Sequence, residues 1–256
     1  MTSDVWAVGN AYEAYIGRWS RRVAVEFVRW LGAPDGGTWL DVGCGTGALA
    51  STVLATAAPA RVVGVDPSIG FLKHAGVPCC VGDARALPLP DRHFDVVVSG
   101  LALNFVTDPA RAAAEFARVT ATGGTAAAYV WDYAEGMAMM RYFWDVAAEV
   151  DPDEGVLDEG LRFTLCRPEP LRALWTGAGL AEVAVAPIEI ATEFADFDDY
   201  WTPFLGGQGP APAYVMSRPE STRDAIRESL RERLPAEPDG RIRLTARAWA
   251  VRGTAR

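Results

Sequence analysis

The sequence predicts an α/β fold, a mostly parallel sheet with helices on both of its faces. Short apolar segments alternate with helical patterns between residues 39 and 131, and this alternation implies parallel strands joined by right-handed crossovers. Residues 96–98 are three consecutive valines, as in a strand buried on both faces of a parallel sheet. The glycine-rich stretch 43–47 then joins an apolar segment to a helical one. Together these observations predict a Rossmann-like sheet.

The first predicted element is a helix over residues 12–31, because Tyr12, Tyr15, Ile16 and Trp19 fall on one helical face. Strands are expected at residues 39–42, 61–65, 79–82, 94–99 and 125–131, and helices at 47–58, 68–75 and 108–119. Asp108 is the expected N-cap of the last of these helices, and Pro109 its first residue. A turn is expected at residues 120–124.

Beyond residue 133 the regular alternation stops. A helix ending near residue 150 is predicted from one apolar face, and the acidic residues 151–159 are expected to be a loop. A helix is expected at 168–179, strands at 180–191 and 242–251, and a helix at 219–234 within the intervening segment. We expect one domain over residues 1–256, with an N-terminal helical cap (1–33) and a helical lid insertion (192–240).

The composition excludes several classes of partner. Half of the 256 residues are apolar and the net charge is -9, which argues against nucleic acid or an anionic membrane as a partner. Four cysteines without a C-x-x-C pair, together with two histidines, argue against a structural metal site. There is no signal sequence pattern, and the apolar stretch 96–106 is too short to span a bilayer, so a cytoplasmic location is expected.

The glycine stretch carries the chemical information. Gly43, Gly45 and Gly47 are preceded by Asp41, and the next predicted strand is followed by Asp66. A dinucleotide site has the spacing G-x-G-x-x-G and presents a helix N-terminus to a pyrophosphate, which a carboxylate at Asp41 would repel. A ligand with cationic groups suits that carboxylate, and Asp66 is placed to accept hydrogen bonds from ribose hydroxyls.

Residues 39–131 resemble class I S-adenosylmethionine (SAM) dependent methyltransferases of the ubiquinone and menaquinone biosynthesis type. The matching segments are 41–47, 64–68, 82–84 with 87–90, 94–95 and 123–124. The resemblance extends to residue 252. It implies a seven-stranded sheet with an antiparallel last strand, SAM as cofactor and S-adenosylhomocysteine (SAH) as product. One departure is the connection between Asp66 and Gly82, which has only fifteen residues.

The resemblance also implies roles for residues. Asp83 would accept from the adenine amino group, with the Ala84 backbone at the ring edge, and an N-terminal helix would close the pocket. The implied cofactor-binding residues are Asp41, Gly43, Cys44, Gly45, Asp66, Pro67, Gly82, Asp83, Ala84, Ser99, Gly100 and Leu101, with Tyr15 and Arg18 from the helix. Arg18 would pair with the carboxylate of SAM.

The acceptor side is predicted from aromatic residues, which can hold a flat apolar molecule and stabilise a sulfonium by cation–π attraction. The candidate substrate-binding residues are Asn104, Trp131, Tyr133, Trp144, Trp201 and Phe204. His74, His93, Asp132 and Glu135 are possible bases, and none is assigned, because methyl transfer can rely on positioning.

The predicted function is methyl transfer from SAM to a small apolar or aromatic molecule, with an oxygen, nitrogen or carbon acceptor left open. One alternative is a SAM- or SAH-binding protein without transfer. Another is a nicotinamide-dependent oxidoreductase, which Asp41 and the glycine spacing disfavour. The oligomeric state is not predicted.

Overall fold

The computed structural model describes residues 13–152, 157–207 and 209–256. Tyr12, part of the first predicted helix, lies outside the described residues. The strands are β1 (Thr38–Val42), β2 (Arg61–Asp66), β3 (Cys79–Val81), β4 (Phe94–Gly100), β5 (Thr120–Trp131), β6 (Ala181–Phe194) and β7 (Ile242–Thr254). They form one seven-stranded sheet in the order β3-β2-β1-β4-β5-β7-β6.

A helix precedes each of the first five strands except β4, and three helices then precede each of β6 and β7. The helices are α1 (Arg18–Leu31), α2 (Ala48–Thr56), α3 (Ile69–Leu72), α4 (Pro109–Val119), α5 (Ala138–Val150), α6 (Glu159–Arg162), α7 (Pro168–Gly177), α8 (Phe197–Trp201), α9 (Pro210–Ser217) and α10 (Glu220–Arg233). A π-helical turn, Glu13–Gly17, leads into α1, and 3₁₀ turns occupy Leu103–Phe105 and Thr202–Gly206. In the described part of the chain no helix has the length and apolarity to cross a membrane.

The direction of the strands confirms the predicted fold class. β1 is parallel to β2 and β4, and β3 and β5 extend the parallel arrangement on either side. β7 is antiparallel to β5, because its Arg247 carbonyl accepts from the Asp132 amide whereas Ala255, just beyond its other end, pairs with Gly123 and Gly124. The sheet is therefore Rossmann-like, with the antiparallel late strand that the resemblance implies.

The chain divides into two compact units. The sheet unit comprises Ser20–Val130, Leu165–Ile188 and Ala248–Arg256, and the insertion unit comprises Met1–Trp19, Trp131–Thr164 and Glu189–Arg247. β6 and β7 contribute residues to both units. The domain boundaries given above, including the cap at 1–33 and the lid at 192–240, stay predictions.

The core of the sheet unit lies on the central strands. Leu40, Val97 and Ala127 are fully buried on β1, β4 and β5. The Trp175 side chain of α7 donates from Nε1 to the Ala126 carbonyl at 2.9 Å. The Phe27 ring of α1 meets the Tyr129 ring at 4.5 Å between centroids. Apolar burial on both faces fixes these parallel strands.

The predicted turn at residues 120–124 was wrong, because these residues already belong to β5. Thr120 pairs with Phe94 and Thr125 with Val96, so β5 advances five residues while β4 advances two. Gly123, at φ 80°, donates to the Ala255 carbonyl and Gly124 accepts from the Ala255 amide, both at 2.9 Å. The two glycines therefore form a β-bulge whose backbone pairs with Ala255. Glycine suits this position because it adopts positive φ without strain.

Three other predictions also need correction. The helix expected at 68–75 is a single turn, α3, which is capped by the Ser68 hydroxyl accepting from the Phe71 amide. By contrast, the predicted N-cap Asp108 and first helical residue Pro109 are confirmed. Helix α9 was not predicted, since two prolines and a preceding glycine pair read as a loop. Glu159, expected in a loop, starts α6 and is buried.

Candidate active site

The glycine stretch follows β1 as a tight turn held against β2. The Gly43 and Cys44 amides both donate to the Val65 carbonyl, at 2.7 and 3.1 Å. Gly43, Gly45 and Gly47 have φ of 74°, 52° and 86°, a region in which residues with a Cβ are strained. The turn therefore needs glycine at these positions to bring its backbone round to α2.

The three glycines face different surroundings. A Cβ at Gly43 would lie 2.6 Å from the Ala102 Cβ, and one at Gly47 would lie 2.0 Å from the Ala75 carbonyl oxygen. A Cβ at Gly45 would meet no described heavy atom within 4 Å. Packing thus explains the absence of a side chain at two positions, whereas the space beside Gly45 is open to a ligand.

Asp41 is a buried carboxylate at the end of β1. Its exposed fraction is 1%, and neither carboxylate oxygen has a hydrogen bond of normal geometry among the described residues, although the Ala50 amide is close enough to act on its pKa. Burial raises its pKa to about 7, the Ala50 amide opposes that rise, and the Asp66 carboxylate adds to it. A buried carboxylate in this condition is costly, and a cationic ligand group would relieve the cost.

Asp66 ends β2 and is also buried. Its Oδ2 accepts from the Gly45 amide at 2.9 Å and its Oδ1 from the Ser68 amide at 2.8 Å, on the far side of Pro67. A carboxylate has about four lone-pair sites, so two remain for ligand hydroxyls. The structure therefore brings Asp41, Gly45 and Asp66 together, as the sequence predicted.

The Cys44 side chain packs against Gly64 of β2. Its Sγ occupies the space beside this glycine, since a Cβ added at Gly64 would lie only 2.7 Å from it. Burial raises the pKa of the Cys44 thiol. A protonated, buried thiol of this kind behaves as a small apolar group. Any contribution of Cys44 to a ligand site comes from its backbone.

Gly82 and Asp83 follow β3. A Cβ at Gly82 would lie 2.8 Å from both Pro88 and Val65 side-chain atoms, so packing requires this glycine. Asp83 binds the Arg85 side chain through Nε and Nη2, at 3.0 and 2.6 Å, and this contact lowers the pKa of Asp83 to about 2. Asp83, which was predicted to accept a hydrogen bond from adenine, is thus half exposed and already paired with the Arg85 guanidinium. Ala84 follows it in the chain.

The end of β4 carries a strained residue. Leu101 has φ 57° without being glycine, and its amide donates to the Tyr129 carbonyl at 2.9 Å. Strain of this kind is concentrated at functional sites. Ser99 is buried, with its Oγ 4.0 Å from a Cβ at Gly43, and Gly100 leaves room for the Tyr129 hydroxyl. The ends of β1 and β4 therefore meet.

Asn104 lies in the 3₁₀ turn after β4. Its Nδ2 is buried and has no hydrogen-bond partner among the described residues. An amide donor without a partner loses its solvation without compensation. Among the predicted acceptor-side residues, Asn104 belongs to the sheet unit.

Tyr15 and Arg18 have protein partners within the insertion unit. Arg18 donates from Nη1 to the Asp199 carboxylate at 2.8 Å, and its guanidinium lies 4.8 Å from the centre of the Phe194 ring. The Tyr15 hydroxyl donates to the Met140 sulfur at 2.7 Å. A cofactor carboxylate would therefore have to compete with Asp199 for Arg18, and both cofactor roles stay predictions.

The aromatic residues predicted to line an acceptor pocket form the interior of the insertion unit. Phe204 stacks on Phe143 at 4.6 Å and on Trp201 at 5.9 Å between ring centroids. Tyr133 meets Phe163 at 5.2 Å, and the Trp131 indole nitrogen is buried without a partner among the described residues. The structure thus brings Trp144, Trp201 and Phe204 together around Phe143, whereas Tyr133 packs on Phe163. The roles of the predicted residues toward an acceptor stay predictions.

The possible bases are engaged or exposed. Asp132 is buried, and its Oδ2 accepts from Nε and Nη2 of Arg247 at 2.8 and 2.7 Å. Glu135 is exposed, 3.6 Å from the same guanidinium. His74 and His93 are exposed. The contacts of Asp132 indicate a structural ion pair between β7 and the segment after β5.

Sequence reasoning missed Glu159. Its exposed fraction is 2%, and its Oε2 accepts from the Trp144 indole nitrogen at 2.5 Å. Burial raises the pKa of Glu159 to about 7, opposed by the bond from Trp144. Glu159 lies in an acidic stretch, and no local pattern predicts that it is buried. The apolar face of α5, which includes Trp144, does predict that another segment of the chain packs on that helix.

The chain is similar in sequence to known methyltransferases. The family model described as "Methyltransferase domain" matches residues 40–128. A demethylmenaquinone methyltransferase of Renibacterium salmoninarum is 38% identical over 129 residues, covering 48% of this chain and 50% of the relative. A malonyl-[acyl-carrier protein] O-methyltransferase of Methylococcus capsulatus is 32% identical over 125 residues, covering 46% and 45%. The chain thus spans about half the length of the curated relatives it matches.

Solved structures extend the likeness in fold. Phosphoethanolamine N-methyltransferase 2 of Haemonchus contortus, solved with SAM, superposes with a TM-score of 0.58 at 15% identity, covering 96% of this chain and 56% of that one. At this identity the likeness concerns the fold alone. The matched segment 40–128 contains the ends of β1, β2, β3 and β4, which confirms the resemblance found in the motifs there.

Proposed function

We propose that this chain, whose residues 40–128 belong to the class I SAM-dependent methyltransferases of the ubiquinone and menaquinone biosynthesis type, transfers the methyl group of SAM to a small apolar or aromatic molecule. The observation that supports this best is Asp41, a buried carboxylate near the Ala50 amide that has no hydrogen bond of normal geometry among the described residues. SAM carries an ammonium and a sulfonium group, either of which would supply the missing positive charge. When bound, SAM supplies an activated methyl group, and the chain supplies its position.

The remaining donor-side roles follow from the same strand ends. Asp66 retains acceptor capacity for ribose hydroxyls, and the open space beside Gly45 receives the methionine part. Asp83 accepts from the adenine amino group while Arg85 holds its carboxylate. The other residues that we assign to this site are Gly43, Cys44, Pro67, Gly82, Ala84, Ser99, Gly100 and Leu101. Ligands in open α/β sheets bind at the carboxyl ends of strands.

On the acceptor side we assign an apolar or aromatic molecule to the aromatic interior of the insertion unit. Trp131, Tyr133, Trp144, Trp201 and Phe204 are all buried there. The names of the two relatives refer to a quinone and to an acyl group on a carrier protein. These acceptors differ chemically, so the similarity to the two relatives does not identify the acceptor of this chain. The proposal therefore rests on the aromatic side chains.

Calorimetric titration with SAM tests the donor half. We expect binding by the wild type and at least a tenfold weaker affinity for Asp41→Asn, because the variant lacks the charge that faces the cation. Asp66→Ala should weaken binding similarly through the ribose. Asp35→Asn, in an exposed loop, is the matched control and should bind as the wild type does. Undiminished binding by both Asp41→Asn and Asp66→Ala would contradict the proposal.

A second candidate is a protein that binds SAM or SAH without methyl transfer. The packing of Phe204 against Phe143 and Trp201 favours it. Incubation with methyl-labelled SAM and 1,4-naphthohydroquinone, a flat acceptor with hydroxyl groups and a free ring carbon, separates the two. Label in the organic extract supports transfer, and SAM binding without label under these conditions favours the second candidate.

A further inference from the structure

Glu159 lies in the interior of the insertion unit and forms no ion pair among the described residues. The Arg141 guanidinium, whose charge lowers the pKa of Glu159, is bound to Asp158 through Nη1 at 2.8 Å and also through Nη2. Asp158 in turn caps α6 by accepting from the Gly160 amide at 2.8 Å. Both Nη atoms of the guanidinium are therefore used by the neighbouring aspartate. Among the described residues, the Glu159 carboxylate receives hydrogen bonds from its own backbone amide and from the Trp144 indole.

The packing of α6 fixes where this carboxylate lies. A Cβ at Gly160 would be 2.8 Å from the Tyr133 carbonyl oxygen and 3.0 Å from the Ala134 Cα. Helix α6 thus rests on the backbone that directly follows β5. Carboxyl ends of strands are where open α/β sheets place their ligands, so Glu159 is held beside a position of that kind.

The groups around Glu159 are aromatic and apolar. Trp144 donates to it from α5, and the Glu159 charge is one cause of the raised pKa of Tyr15, whose hydroxyl is turned to the Met140 sulfur. Tyr200 and Tyr133 also raise the pKa of Tyr15, and the Tyr15 ring meets the Phe204 ring edge-on at 5.3 Å between centroids. The titratable and charged groups that bear on Glu159 are therefore Arg141, Asp158 and Tyr15.

A purely structural role explains this arrangement poorly. A buried carboxylate that only supports packing is normally paired with a cation, because its desolvation is otherwise uncompensated. Here the indole donor satisfies part of the carboxylate, and ionised carboxylates can accept several hydrogen bonds. The capacity that remains suits a donor on a ligand that is otherwise aromatic.

We infer that Glu159 is the hydrogen-bond acceptor with which the insertion unit recognises an O–H or N–H group on a flat, aromatic methyl acceptor. This inference rests on the proposed function and narrows it. The acceptor class becomes phenols, hydroquinones and aromatic amines, and aromatic molecules without a donor group are rejected. A site built to accept a hydrogen bond discriminates strongly against ligands that lack the donor.

A pair of ligands of the same shape tests the inference. The probes are 1-naphthol and naphthalene, which differ by one hydroxyl group, and binding to the full-length protein is followed by their fluorescence at pH 8. We expect the wild type to bind 1-naphthol at least about tenfold more tightly than naphthalene. Glu159→Gln should reduce this ratio to about one to three, because the neutral amide is a weaker acceptor.

The control variant is Glu135→Gln, an exposed glutamate in the same unit, which should keep the wild-type ratio. Glu159→Asp, which retains the charge on a shorter side chain, should lie between the two. In the wild type the preference for 1-naphthol should grow as the pH rises through about 7 and Glu159 ionises. That pH dependence should be absent in Glu159→Gln.

Equal binding of the two probes by the wild type, no binding of either, or an unchanged ratio in Glu159→Gln would each overturn the inference. SAM affinity, measured on the same samples by calorimetry, keeps this test separate from the proposed function. Loss of SAM binding in the wild type contradicts the proposed function. An unchanged SAM affinity with an unchanged probe ratio contradicts only the role of Glu159.

Discussion

At the scale of the residue, Asp41 and Glu159 are two ionisable carboxyl groups that are almost completely buried. Asp41 belongs to the sheet unit and Glu159 to the insertion unit, and burial raises the pKa of each to about 7. The sequence motif singled out Asp41 as a candidate cofactor-binding residue, since it precedes the glycines. Nothing in the pattern marked Glu159, because burial of a charged residue depends on tertiary packing rather than on local periodicity.

The raised pKa of Asp41 predicts a dependence of stability on pH. Between about pH 4 and pH 7 the folded chain keeps the Asp41 proton that the unfolded chain has lost, so the unfolding free energy falls as the pH rises, by up to about 4 kcal/mol. Asp41→Asn should lack this part of the decline. Urea unfolding of both proteins at pH 5 and pH 8, without SAM, measures it. Parallel declines in the two proteins would contradict the assignment.

At the scale of the element, the sequence predicted the strands that apolar runs define. β1, β2 and β4 begin and end within one residue of the predicted bounds. The errors arise where glycines are used for a purpose that a local pattern does not reveal. Gly123 and Gly124 read as a turn, yet they form a bulge in β5 that pairs with Ala255. That pairing partner lies more than a hundred residues away.

The ion pair between Asp132 and Arg247 joins the segment after β5 to β7, and it predicts a stability effect. Asp132→Asn should lower the unfolding free energy by about 3 kcal/mol, because it leaves a half-buried guanidinium without its close partner. Glu189→Gln, which removes an exposed carboxylate 3.9 Å from the same Arg247, is the matched control and should change it by less than about 0.5 kcal/mol. Urea denaturation measures both.

The same pair decides what a loss of activity would mean. If Asp132→Asn keeps its stability but loses methyl transfer, Asp132 is a catalytic residue and its contact with Arg247 is incidental. If stability and transfer fall together while SAM binding persists at low temperature, the ion pair is structural, as its geometry indicates. Asp132→Glu, with the charge retained, should recover part of the stability.

At the scale of the whole molecule, the sequence predicted the proximity of the residues proposed for the donor side, but it did not predict the packing of those proposed for the acceptor side. The proposed donor-side residues of the sheet unit lie at the ends of adjacent parallel strands, so their proximity follows from topology. Most of the proposed acceptor-side residues lie after residue 130, in a region where tertiary packing determines which side chains are in contact. Trp144, Trp201 and Phe204 were singled out by aromatic content, and their mutual contacts could not be read from spacing.

This division between the units predicts how the two ligands change hydrogen exchange. SAM should slow exchange of the amides at 41–47 and 64–68, because it fills the space beside the glycines and rigidifies the turn. 1-Naphthol should slow exchange at 138–150 and 158–163, around Glu159. Mass spectrometry of peptic fragments measures both, with Asp41→Asn and Glu159→Gln as the paired controls. Protection at 13–19 by SAM would support the predicted roles of Tyr15 and Arg18, whereas no protection at 41–47 would contradict the donor site.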